Sequence, residues 1–352
     1  MAEIELKNLT KHFGRVPALD GVSFDLKDGE FFVLLGPTGA GKTTTLRVIA
    51  GLEKQDGGSV LFNGQPADAM TPAERDVAFV FQQYSLYPTM SVYDNLAFPL
   101  RSPLRKTPEP DIKKRVEEAA DKLRISHLLT RKTGHLSGGE MQRVSIGRAI
   151  VRSPQIFLMD EPLSNLDAKL REALRVELKH LQKTQNSTTL FVTHDQVEAL
   201  TMADRIAVMR EGRIVQTGAP QDIYDRPATT FVAQLVGTPR INLLEASIQE
   251  GTLRVPNSPL QVPLSDMDGR LPPSVLLGIR PEDVQPQSDG EFTGEVALIE
   301  PLGVETVLHI RVGGPTLVSI VPGMTDLKRG SSVRYGIARD RLHFFNPEGL
   351  RL

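Results

Sequence analysis

Residues 36–43 read GPTGAGKT, in which glycines at 36, 39 and 41 precede Lys42 and Thr43. Glycines at this spacing let backbone amides converge on phosphate oxygens, and a helix that starts there adds the positive end of its dipole. Lys42 is then spaced to reach the β and γ phosphates of a nucleotide, and Thr43 to ligate Mg2+. Much later, the apolar run IFLMDE ends in two carboxylates, Asp160 and Glu161. Asp160 suits a magnesium ion held through water, and Glu161 faces the position of an attacking water. A third segment, LSGGE at 136–140, leads into the helical pattern MQRVSIGRAI. Ser137, Gly138 and Gly139 therefore mark a second helix N-terminus that favours anions. Together these residues imply magnesium-assisted transfer of a γ-phosphoryl group to water, a reaction that needs positioning and charge neutralisation more than covalent chemistry.

Several elements must hold these groups. FFVLL runs straight into the glycine loop, and TTTLRVIAGL (43–52) sets Leu46, Ile49 and Ala50 at helical spacing before Gly51. Strand, glycine loop and helix form the context a phosphate loop requires. IFLMD (156–160) and TTLFVTH (188–194) are near-continuous apolar runs of the kind buried on both faces of a parallel sheet. The helical text AKLREALRVELKHLQ separates them, which indicates a βαβ crossover and a doubly wound α/β domain. From about 85 to 150 the pattern is helical; IKKRVEEAADKL puts Ile112, Val116, Ala119 and Leu123 on one face and balanced charges on the other. Past Gly237 short apolar runs broken by Gly and Pro, among them VLLGIR, ETVLHIRV and TLVSIV, predict an all-β domain, a small barrel.

The 352 residues exceed the length at which one core stops growing, so two domains are expected. Hydrophobic residues make up 40% and charged residues 24%, values that argue against disorder and against a coiled-coil rod. Lys plus Arg number 41 against 43 for Asp plus Glu, so no strong positive field exists to hold a nucleic-acid backbone. There is no cysteine, which excludes disulfides and thiolate metal sites and fits a reducing compartment. The start, MAEIELKNLT, is not a secretory signal, and no stretch approaches the ~20 apolar residues of a membrane span.

Residues 1–235 resemble the nucleotide-binding subunits of ABC transporters. Five elements stand in that family's order: GPTGAGKT, Gln82 in FQQYSLYP, LSGGE, IFLMDE followed by SNLD at 164–167, and His194 in VTHD. The resemblance implies ATP and Mg2+, with Phe13 stacked on adenine and Gly36, Pro37, Thr38, Gly39, Ala40, Gly41, Lys42, Thr43 and Thr44 around the phosphates. It implies a metal set of Thr43, Gln82 and Asp160 and a catalytic set of Glu161, His194 and Gln82. Gln82, in preference to Gln83, would link magnesium and water to the transport domain, and His194 would contact the γ phosphate. Ser137, Gly138 and Gly139 would close over ATP held by a partner subunit, with Asp167 at the dimer interface. Phe13 stands where the family more often has Tyr, a change that keeps the ~1–3 kcal/mol of aromatic stacking on a base. Glu140 and Met141 replace more polar residues common in the family.

The resemblance extends past residue 235. GTPRINLLEA (237–246), GIRPEDV (278–284) and FFNPEG (344–349) look like the OB-type regulatory domain of importer ATPases in the maltose, trehalose and glycerol-phosphate group. The fold expected is α/β: an ABC ATPase domain over 1–235, with a mixed sheet core and antiparallel β and helical subdomains, then an OB-like β-barrel regulatory domain over 236–352. Implied partners are a second copy in a homodimer, transmembrane permease subunits and, indirectly, an extracytoplasmic solute-binding protein, but no nucleic acid. The location implied is peripheral, on the cytoplasmic face of the inner membrane, and the solute a sugar or sugar derivative. Polyamine or inorganic-anion importers share much of this architecture. A soluble ABC ATPase of DNA repair or translation usually carries coiled-coil arms or two cassettes, and a phosphate-loop kinase would not need LSGGE or His194.

Overall fold

The computed structural model describes residues 2–103, 105, 107–264 and 271–352. The chain divides into two compact units between Pro220 and Gln221.

In the first unit, β1 (Ile4–Phe13) and β2 (Val16–Leu26) mix buried and exposed side chains and pair antiparallel. β3 (Phe31–Leu35) differs in that all its side chains are buried. α1 (Lys42–Ile49) follows, then β4 (Gly57–Phe62), β5 (Gln65–Pro66) and β6 (Val77–Val80). α2 (Val92–Ala97), α3 (Glu109–Lys122) and α4 (Gly138–Ile150) form the helical stretch, and α3 buries Ile112, Val116 and Ala119 as its spacing predicts. β7 (Ile156–Asp160) and β8 (Thr189–Thr193) are buried throughout and flank α5 (Ala168–Gln185). Asp167 caps the start of α5 and Asn186, at φ 46°, ends it, while Leu174, Leu178 and Leu181 form its buried stripe. α6 (Gln196–Met202), β9 (Arg205–Arg210) and β10 (Arg213–Gly218) complete the unit.

Two sheets result. One is antiparallel, in the order β2-β1-β4-β5; the other runs β10-β9-β3-β8-β7-β6 and is parallel except for its β10 edge. They share a core in which Ile4, Leu6 and Leu9 meet Phe32, Leu34, Leu158 and Val192, and the Phe24 and Phe32 rings stack at 5.1 Å. The order of the parallel sheet matters most for the site. β3, β8 and β7 are adjacent, with Leu35 beside Thr193 and Asp160 beside Val192, so the segments that leave their C-terminal ends emerge side by side.

The second unit holds α7 (Pro220–Asp225, of which all but Pro220 lies in this unit) and α8 (Thr230–Leu235), followed by β11 (Asn242–Gln249), β12 (Thr252–Arg254), β13 (Gln261–Pro263) and β14 (Ser274–Ile279). β15 (Val284–Pro286), β16 (Phe292–Pro301), β17 (Glu305–Arg311), β18 (Thr316–Pro322), β19 (Ser332–Ile337) and β20 (His343–Phe345) follow. They make two antiparallel sheets, β13-β12-β11-β14-β20 and β15-β19-β16-β17-β18, around one core that includes Leu253, Leu277, Val296, Leu308 and Tyr335. Buried Asn242 joins them: its amide donates to the Ile279 and Val318 carbonyls, and its oxygen accepts from Val318 N–H at 2.7 Å. The result is a nearly closed, OB-like barrel. The division at Pro220 lies upstream of the boundary at 235 because Arg280 reaches back to α7 and α8. Its guanidinium donates to the carbonyls of Ala233, Val236 and Tyr224.

Candidate active site

The glycine loop lies between β3 and α1. Gly41, at φ 106°, occupies backbone space that a side chain would strain, and a Cβ there would run into the Ala18 carbonyl. Lys42 is buried, and its Nζ donates to the carbonyls of Gly36 and Pro37 at 2.9 and 3.0 Å. Burial lowers the Lys42 pKa, while the Glu161 carboxylate, 3.5 Å away, and Asp160 act to raise it. Thr43 Oγ1 donates to Asp160 Oδ1 at 3.0 Å. Asp160 is buried, and burial pushes its pKa up against the opposing Thr43 hydrogen bond.

Glu161 follows the end of β7 and takes the left-handed conformation, φ 44°. Its N–H donates to the Val192 carbonyl at 3.0 Å, which ties the turn to β8. Glu161 Oε2 lies 2.9 Å from His194 Nδ1. A carboxylate can only accept, so Nδ1 carries the proton of that bond. Asp195 caps α6 through the Val197 and Glu198 N–H groups and so fixes the backbone just after His194. Lys42, Thr43, Asp160, Glu161 and His194, separated by up to 152 positions in sequence, thus converge within hydrogen-bond or ion-pair reach of one another.

Other predicted residues lie outside this cluster. Gln82 donates to Ser164 Oγ at 3.4 Å, and its carbonyl accepts from Asn165 Nδ2 at 3.1 Å, so it is joined to the SNLD turn. Phe13 is half exposed at the end of β1, with Lys11 Nζ 5.4 Å from its ring centre. Ser137 caps α4 in a reciprocal pair with Glu140: Ser137 Oγ accepts from Glu140 N–H, and Glu140 Oε2 accepts from Ser137 N–H at 2.7 Å. A Cβ at Gly139 would overlap the end of the Leu170 side chain on α5, which would have to turn aside. Asp167 Oδ1 accepts from Leu170 N–H at 3.0 Å. Among the described residues, no hydrogen bond or ion pair joins Ser137 or Asp167 to Lys42, Asp160 or Glu161.

Arg148, on α4, is the residue that sequence patterns did not single out. Its guanidinium donates to the Ser85 and Tyr84 carbonyls at 2.6 and 3.3 Å, and Ser145 Oγ donates to Tyr84 as well. Tyr84 and Ser85 both have positive φ, so α4 clamps a strained turn just after Gln82. The available signal was one arginine in the otherwise small and apolar text SIGRAI. Beside this turn lies a groove of about 770 Å³, lined by Leu52, Pro72, Phe81, Tyr87, Phe98 and Arg148 among others. Leu52, Phe81, Tyr87 and Phe98 expose more than a third of their surface, and the Tyr87 and Phe98 rings meet at 4.6 Å.

The described helices include none long and apolar enough to cross a membrane. Residues 19–164 match the ABC transporter family, and residues 277–345 match the TOBE domain. The trehalose/maltose import ATP-binding protein MalK of Thermococcus litoralis is 47% identical, over 98% of each chain. The sn-glycerol-3-phosphate import ATP-binding protein UgpC of Bordetella avium is 44% identical over 99% of this chain and 98% of its own. For the oligosaccharides import ATP-binding protein MsmX of Bacillus subtilis the identity is 41%, over 99% and 98%. Among solved structures, a dimeric bacterial ABC transporter cassette covers 62% of this chain and 98% of its own at 32% identity and a TM-score of 0.57. A dimeric post-hydrolysis cassette bound to ADP and Pi gives 31% identity over the same shares, with a TM-score of 0.56. With glycine loop, paired carboxylates and histidine gathered at three neighbouring strand ends, and with full-length relatives of this kind, the chain belongs to the ABC transporter family as an ATP-binding, ATP-hydrolysing subunit.

Proposed function

We propose that this subunit, as a homodimer, drives uptake of a sugar or sugar phosphate through separate permease subunits fed by an extracytoplasmic solute-binding protein. It would sit on the cytoplasmic face of the membrane. The trehalose/maltose, glycerol-phosphate and oligosaccharide relatives support the cargo class, and the dimeric cassettes support the homodimer. The observation that carries the catalytic reading is the position of Glu161, between Lys42 at 3.5 Å and His194 at 2.9 Å.

In this reading Lys42 and the amides of residues 36–44 hold the β and γ phosphates, and the Phe13 ring takes the adenine. Thr43 Oγ1 and Asp160 Oδ1 form a pair of hard oxygen donors that fits Mg2+, an ion that keeps waters and phosphate oxygens for the rest of its shell. Held by these residues, magnesium would offset charge on the phosphates. Glu161 accepts a hydrogen bond from the attacking water, and His194 orients Glu161 and reaches the γ phosphate. Ser137, Gly138 and Gly139 of the partner complete the enclosure, with Asp167 at the interface. The SNLD turn carries the state of Gln82 toward the groove at Leu52, Phe81 and Phe98, where a cytoplasmic helix of the permease docks.

Glu161→Gln tests the assignment. The expected variant binds ATP with unchanged affinity, hydrolyses it at least about 100-fold more slowly, and accumulates as a dimer. Steady-state hydrolysis at the wild-type rate would remove Glu161 from the mechanism. For the cargo, ATPase activity of the assembled transporter is expected to rise with sugars or sugar phosphates and to ignore polyamines.

A further inference from the structure

Unit two contains a polar cleft of about 360 Å³, lined by residues of that unit, whose charges are not used up within the fold. It is bounded by Tyr224 and Asp225 of α7, the turn Arg339–Arg341, His343 of β20, and Arg351 near the C-terminus. Arg280 forms part of its lining, fully buried, with the guanidinium 3.9 Å from the Tyr224 ring centre and committed to three carbonyls. Arg341 is paired with Asp283 at 3.2 Å.

The remaining groups are free for a ligand. Arg351 has as its side-chain partner His343 Nδ1, at 3.2 Å, and among the described residues no carboxylate lies within ion-pair distance of it. An arginine can only donate, so Nδ1 accepts and the proton of neutral His343 sits on Nε2. Burial and the nearby Arg280, Arg351 and Arg341 push the His343 pKa down to about 4, which keeps the ring neutral. Its Nε2–H has no partner among the described residues and is not sealed from solvent, so it is open to a ligand. Asp225 and Asp340 line the same cleft and form no ion pair among the described residues. A bare anion would leave these two carboxylates facing like charge. A ligand with an anionic end and hydroxyl donors satisfies both signs, because a carboxylate accepts readily from hydroxyls.

We propose that this cleft binds a small phosphate monoester of a polyol. Arg351 and the His343 Nε2–H take the phosphate, and Asp225 and Asp340 accept from the hydroxyls. The volume suits a ligand of that size.

The test is calorimetric titration of the full chain with the nucleotide loop saturated by ADP, using glucose 6-phosphate, glycerol 3-phosphate, glucose and inorganic phosphate as probes. At least one ester is expected to bind saturably at one site per chain, more tightly than glucose or inorganic phosphate. Arg351→Gln should weaken that binding about tenfold or more while leaving ADP affinity and melting temperature unchanged. Asp340→Asn should erase the preference for the ester over inorganic phosphate. The proposal fails if neither ester binds, if inorganic phosphate or glucose binds as tightly as the ester, or if Arg351→Gln binds the ester like the unaltered chain.

Discussion

Glu161 is held by its backbone as well as by its side chain. A non-glycine residue at positive φ costs about 1–3 kcal/mol, and here the Val192 carbonyl, Lys42 and His194 hold it in place. His194→Ala removes one of those restraints. Its expected phenotype is a fall in kcat of about 100-fold or more, with nucleotide affinity little changed, read by pairing steady-state ATPase rates with nucleotide titration. Equal losses in affinity and rate would mean that His194 serves binding instead. A second residue-scale prediction concerns acid. His343, near 4 when folded against 6.5 ordinarily, binds fewer protons in the folded chain, so stability is lost as pH falls from 6.5 toward 4. Asp283, pushed up from 3.8 to about 6 by burial, has the opposite sign: its contribution is fully present below 3.8 and lost as pH rises through 6. In acid the two act in opposite directions. Asp283→Asn leaves the His343 effect uncompensated, so chemical unfolding of that variant should lose stability more steeply between pH 6.5 and 4. Parallel pH curves for variant and parent would contradict this.

The elements differ in how far text alone reveals them. β3, β7 and β8 were legible because FFVLL, IFLMD and TLFVT have no polar side to give to water. The order in which they pair was not, since β8 takes its place between β3 and β7 through backbone bonds that residue types do not encode. Glu161 and His194 were readable as chemistry in strand-end context, yet their 2.9 Å contact exists only because of that order. Arg148, Asn242 and Arg280 escaped for a common reason: their partners are mainly backbone carbonyls, between 37 and 76 positions away in sequence, which carry no residue signal. The short α7 and α8 offer too few turns for a periodic pattern, so they join the barrel's unit through Arg280 instead of being visible in the text. Arg148→Met should leave nucleotide affinity intact while releasing the turn at Tyr84 and Ser85. Faster amide exchange across residues 82–86, together with lower permease-stimulated ATPase activity, is the expected result. Unchanged exchange would remove Arg148 as the clamp. Gly139→Ala should make the Leu170 side chain turn aside and lower the melting temperature by a few degrees at most, read by thermal unfolding.

At the scale of the whole molecule, among the described residues Ser137 and Asp167 form helix-capping bonds and none with the phosphate-side cluster of the same chain. Specific ATPase activity of the purified subunit should therefore rise with protein concentration as dimers form, and a dilute monomer should be nearly inactive; concentration-independent activity would argue for a site complete in one chain. Removal of divalent cations by a chelator should abolish hydrolysis, and Mg2+ should restore it. The sheet order also has a consequence for synthesis. β3 is central, yet its neighbours β8 and β9 begin only at Thr189 and Arg205. At about 5–20 residues per second, FFVLL leaves the ribosome and waits roughly ten to thirty seconds for its first partner strand. For that interval a fully apolar pentapeptide has unpaired edges on both sides, so the nascent chain is a natural client for chaperones that shield hydrophobic segments until translation passes residue 193.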